Sequence, residues 1–118
     1  NYSKAVELIV DMALSKNTSQ TVKKQVIEEL LKAKPEVVYG DFEACDKFDI
    51  MDQVANIKVR TLIICGSEDI LTPVKYSKYL NEKIANSILK IIDGSGHMVM
   101  LEKPKEFNSI LEEFLNSL

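Results

Sequence analysis

No apolar run in this chain approaches the roughly 20 residues that a membrane-spanning helix requires, and no signal-peptide pattern opens it, so no membrane partner is expected. Cysteine is scarce. Cys45 and Cys65 stand far apart with no C-x-x-C or Cys/His ligand spacing, which suits a reducing compartment and makes the cytoplasm the expected location. Basic charge is not in excess: fifteen Lys and Arg are interspersed with eighteen Asp and Glu, for a formal charge of −3, so there is no electrostatic case for nucleic acid. Internal repeats and low-complexity linkers are missing too, and nothing points to a cofactor. The first residue is Asn1 rather than methionine, from which the expectation is that something upstream has been removed.

What remains is an ordinary globular composition, 46% apolar and 28% charged, over 118 residues, one domain's worth of chain. The first part reads as helices. Ser3 can cap a helix with Val6, Ile9, Val10 and Ala13 on one face, and a second starts near residues 18–21 with Val22, Val26, Ile27, Leu30 and Leu31 at helical spacing. Pro35 restarts a shorter apolar segment, in which Gly40 or its neighbours would allow a bend. Residues 46–57 carry helical turns and Asp/Asn caps without a long periodic run, and read as a connector.

The composition shifts near Val59. From there to Pro104 a single pattern occurs twice: a short β-branched apolar run, a glycine turn, one residue able to move a proton, and a proline that opens a helix. The first run, residues 59–65, is continuously apolar after Arg60, as in a parallel strand covered on both faces, and Gly66 and Ser67 turn the chain toward Glu68 and Asp69. Thr72 and Pro73 then suit a helix start. The second run, residues 88–92, is shorter and carries Lys90, which suits a strand nearer the sheet edge; it leads through Gly94, Ser95 and Gly96 to His97, the only histidine. A right-handed crossover makes the two strands parallel neighbours and brings both loops to one rim. The last helix follows Pro104, with Phe107, Ile110, Leu111, Phe114, Leu115 and Leu118 as an apolar stripe that packs on the sheet.

A carboxylate and an imidazole at adjacent strand ends are the acid and base of a triad. A serine hydroxyl needs a base to take its proton as it attacks a carbonyl, and imidazole, titrating as a side-chain type near pH 6.5, can accept that proton and return it. His97 is the candidate base and Asp69 the candidate acid, with Glu68 a competitor for the second role. Glu68, Asp69 and His97 also make a thin case for a metal, lacking a second histidine or a cysteine pair. Glu102 reads as a helix-start residue favoured by the helix dipole, Ser67 and Ser95 as turn residues, and Met98 and Met100 as core or pocket wall beneath the histidine loop.

The span 46–118 resembles the C-terminal part of an α/β-hydrolase of the esterase, lipase and C–C-hydrolase type. Gly66, Asp69 and Pro73 match that family's G-x-x-D-x-x-x-P segment after the penultimate strand; Gly96, His97, Glu102 and Pro104 match its G-H segment and E-x-P. The resemblance implies catalytic Asp69 and His97. It implies an α/β fold in which two parallel strands with flanking helices (residues 46–118) follow a helical cap or lid (residues 1–45). A complete member also carries G-x-S-x-G on a strand-to-helix turn and oxyanion-hole amides from another early loop. The glycines here are only Gly40, Gly66, Gly94 and Gly96, and no serine lies between two of them at that spacing.

Two readings follow. In one, the chain is the C-terminal portion of a serine hydrolase acting on a small-molecule ester or related acyl substrate, inactive by itself. In the other, it is a non-catalytic, self-associating module that keeps the fold without the chemistry. In either, the strand at residues 59–65 would present an unpaired edge, and the isolated chain is expected to form homo-oligomers.

Overall fold

The computed structural model describes residues Asn1–Leu118. Helix α1, Tyr2–Ala13, begins two residues earlier than a Ser3 cap would place it, because the Asn1 carboxamide accepts from the Ser3 amide and satisfies that otherwise orphaned donor. Helix α2, Gln20–Lys32, starts where expected, with the Ser19 hydroxyl accepting from the Val22 amide. The two helices share a small apolar core of Val6, Val10, Leu14 and Val26. The Tyr2 hydroxyl, 2.9 Å from the Leu30 carbonyl and 3.0 Å from that of Ala33, ties the start of α1 to the end of α2.

Helix α3, Pro35–Lys47, opens on proline and runs through Gly40 without the expected bend. Glycine weakens a helix interior by roughly 1 kcal/mol but does not interrupt its hydrogen bonds. None of its residues is buried, and Val37, Tyr39 and Phe42 face outward. The connector that follows holds one 3-10 turn, Val54–Asn56, whose Val54 is buried.

The α/β part has strand β1, Thr61–Gly66; helix α4, Val74–Lys83; and strand β2, Ser87–Ile92. The strands pair in parallel, Thr61 opposite Ser87 through Gly66 opposite Ile92. They are equal in length; β2 begins one residue before its apolar run, because Ser87 pairs with Thr61 although its side chain gives no strand signal. A short helix α5, Val99–Glu102, precedes α6, Pro104–Asn116, which packs against both strands. The Arg60 guanidinium lies over the Phe114 ring, 5.6 Å from its centroid, where β1 begins.

The radius of gyration is 15.7 Å, against about 13.5 Å for a compact domain of this length. Only sixteen residues are buried, none of them in α3, α4 or α6, and β1 has a neighbour on one edge only. The fold therefore leaves much apolar surface uncovered and the outer edge of each strand unpaired.

Candidate active site

The C-terminal ends of the two strands are stitched together by backbone. The Ser67 amide donates to the Ile92 carbonyl and the Glu68 amide to that of Ser95, each at 2.9 Å. The chains pass so closely that a Cβ on Gly66 would fall inside the radius of the Ser95 and Gly96 carbonyl oxygens. The two serines close the same turn. Ser95, fully buried, donates to the Ile92 carbonyl, and the Ser67 hydroxyl lies between Asp93 and the Gly94 amide.

On this platform Asp69 and His97 meet. One oxygen of Asp69, Oδ1, accepts from the Leu71 and Thr72 amides at 2.9 Å each, which fixes the carboxylate plane. The other, Oδ2, accepts from the Thr72 hydroxyl at 3.0 Å and lies 2.9 Å from His97 Nδ1. An ionised carboxylate can only accept, so Nδ1 carries the proton and donates. All hydrogen bonds of the ring within the chain are made through Nδ1, which leaves Nε2 free to accept from a partner. The Asp69 side chain is 4% exposed and the His97 side chain 40%, as suits an acid that orients and a base that reaches outward.

Burial pushes the Asp69 carboxyl up, but the Thr72 amide, the His97 ring and the Thr72 hydroxyl together outweigh it and hold Asp69 below its ordinary value of 3.8. A carboxyl depressed by folding stabilises the native state above its unfolded value, and that contribution is lost as pH falls through the folded one. The expected outcome is a loss of stability to urea as pH drops below 3.8. His97→Ala, which removes one of the groups holding Asp69 down, should flatten the loss in that window. Urea titrations of the two proteins across acid pH check this; equal slopes would contradict it.

Thr72 is a site residue that its position before Pro73 concealed. Expected as a helix cap, it turns instead toward the Asp69 and His97 pair, its hydroxyl 3.1 Å from His97 Nδ1 and its amide on Asp69, while α4 begins at Val74 with no side-chain cap. Glu68, the competing acid, does not reach the imidazole; its carboxylate accepts from the Ser15 hydroxyl. Glu102 departs furthest from expectation. It ends α5 instead of starting α6, and its carboxylate accepts from the Ser15 and Gly96 amides and the Thr18 hydroxyl. Met98 packs toward α2, where with Val22, Leu30 and Leu101 it lines an apolar groove of about 560 Å³.

A family model described as the alpha/beta hydrolase fold matches residues 14–104. The chain belongs to that family. Within the α/β hydrolases it is 36% identical over 69 residues to a proline iminopeptidase of Lactobacillus helveticus, covering 58% of this chain and 23% of that protein. It is 32% identical over 74 residues to a putative carbamate hydrolase, RutD, of Pseudomonas savastanoi pv. phaseolicola, covering 63% and 29%. A thermophilic esterase superposes with a TM-score of 0.88 at 38% identity, over 99% of this chain and 47% of its own. The match thus spans less than a third of either curated relative and about half of the esterase. The two parallel strands with flanking helices agree with a part of the α/β-hydrolase fold.

Proposed function

We propose that this chain carries the acid and base of a serine-type acyl hydrolase, Asp69 and His97, and that the nucleophile and oxyanion-hole donors come from polypeptide beyond it. The observation that carries this reading is the 2.9 Å contact between Asp69 Oδ2 and His97 Nδ1 at the shared end of two parallel strands. The sequence has no G-x-S-x-G, and the relatives it matches are at least twice as long as the matched stretch. In this reading residues 1–45 are the cap and residues 46–118 the C-terminal half of the core.

The chemistry follows from the proton's position. With Nδ1–H directed at Asp69, Nε2 takes the proton of a serine hydroxyl as that oxygen bonds to the carbonyl carbon of an ester or related acyl substrate. The imidazolium, stabilised by the Asp69 carboxylate, returns the proton to the departing alcohol or amine, and water then repeats the sequence to release the acid. An iminopeptidase, a putative carbamate hydrolase and an esterase among the relatives all fit acyl transfer to water.

The isolated chain is therefore expected to show no turnover of p-nitrophenyl acetate. Measurable turnover that disappears on His97→Ala would overturn the division of labour. The same chain should self-associate through the unpaired edge of β1 and the apolar surface around it, since such an edge presents open backbone donors and acceptors. Sedimentation should give a dimer or larger species, and a clean monomer would contradict this.

A further inference from the structure

Glu102 lies outside the Asp69 and His97 pair, yet its carboxylate joins the histidine loop to the α1–α2 turn, more than 80 residues away in sequence. Oε2 accepts from the Gly96 amide at 2.9 Å, immediately before His97. Oε1 accepts from the Ser15 amide at 2.7 Å and from the Thr18 hydroxyl, in the turn between α1 and α2. Beside this joint the His97 amide donates to the Ala13 carbonyl at 2.7 Å. The fit is tight: a Cβ on Gly96 would stand 2.7 Å from the Ser15 nitrogen and 2.8 Å from the Ala13 oxygen. The backbone that leads into the imidazole is thus fastened to the end of α1 and the turn after it, by the Glu102 carboxylate at Gly96 and by the His97 amide itself.

We propose that Glu102 is a positioning residue for the base: by clamping the Gly96 amide to the α1–α2 turn it fixes the His97 backbone so that Nδ1 faces Asp69 and Nε2 faces outward. This rests on the reading of His97 as the base. Charge strengthens the clamp, since a carboxylate accepting from backbone amides forms charge-assisted bonds stronger than neutral ones. It also makes the α1–α2 turn a fixed support of the site, so that the helical region cannot shift at that end without displacing the imidazole.

His97 is the only histidine, so the exchange of its Nδ1 proton with solvent can be followed by 15N NMR as a single resonance in the whole chain. Glu102→Ala should speed that exchange by about tenfold or more, the factor expected from losing hydrogen bonds to a charged group. Glu102→Gln, which keeps an acceptor without the charge, should lie between. Thr18→Val, which removes one bond, should give a smaller change in the same direction and keeps the question open to measurement if Glu102→Ala does not fold. Ile84→Ala, which removes buried methyls at the opposite end of the strands, should lower stability and leave the exchange rate unchanged. A protected proton in the parent chain whose exchange neither Glu102→Gln nor Thr18→Val alters would overturn the clamp alone. An unprotected proton in the parent would overturn the clamp together with the Asp69 and His97 pair beneath it.

Discussion

On the proposed reading, His97→Ala, made in a polypeptide that joins this chain to a serine nucleophile, is expected to lower kcat for ester hydrolysis by a factor on the order of 10⁶, with KM changed little. Without Nε2 no group is positioned to take the serine proton, and what survives is catalysis by the oxyanion donors and binding alone. Asp69→Asn should cost less, roughly 10⁴-fold. The Asn amide can face Nδ1 as a donor and turn the ring to the tautomer whose Nε2 carries the proton, so the geometry survives while the base is occupied. The size of the Asp69→Asn loss distinguishes this arrangement from one in which Asp69 only braces its loop. In that case Asp69→Asn, with the Thr72 bonds mostly kept, would cost less than tenfold. Steady-state kinetics on a p-nitrophenyl ester separates the outcomes.

The second large effect is on folding. Gly66→Ala places a methyl group against the Ser95 and Gly96 carbonyl oxygens, which belong to backbone that the Ser67 and Glu68 amides already hold. Neither side can yield without breaking the stitching of the two strand ends. Overpacking against a rigid backbone of this kind costs about 3 kcal/mol, a large fraction of the roughly 5–15 kcal/mol that a domain has in total. Gly40→Ala is the contrasting case, mid-helix with nothing within 4 Å of the added group, and should stabilise by roughly 0.5–1 kcal/mol. Urea unfolding of both variants checks the pair. A Gly66→Ala protein as stable as the parent would mean that the strand ends are not in contact.

The contrast between those two glycines shows which parts of the molecule were legible in the sequence. Gly66 and Gly96 end β-branched runs, where the need for a tight turn is local, and the two strands, their crossover and the meeting of Asp69 with His97 all follow from that local pattern. Gly40 carries the same side chain but lies among good helix formers, and the hydrogen-bond ladder of α3 continues through it. Ser3 and Asn1 compete for one cap, and the residue one position ahead of the helix is the one whose side chain reaches the free amide. Thr72 and Glu102 were misread for a different reason. Each stands one or two residues before a proline at a helix start, so a local role accounts for it, while each also reaches a partner distant in sequence, His97 for Thr72 and Ser15 for Glu102, that only the tertiary fold brings near. Glu68 was a rival to Asp69 because neighbouring carboxylates look alike in sequence; the turn after Gly66 sends one toward Thr72 and His97 and the other toward Ser15.

The most direct measurement is the 15N spectrum of the one imidazole in the parent chain and in Asp69→Asn. The parent should show neutral His97 as a single tautomer, Nδ1 protonated and strongly hydrogen-bonded and Nε2 bare, with the Nδ1 proton far downfield, and the substitution should abolish that signal. A ring that averages between tautomers, or one protonated at Nε2 in the parent, would contradict the account.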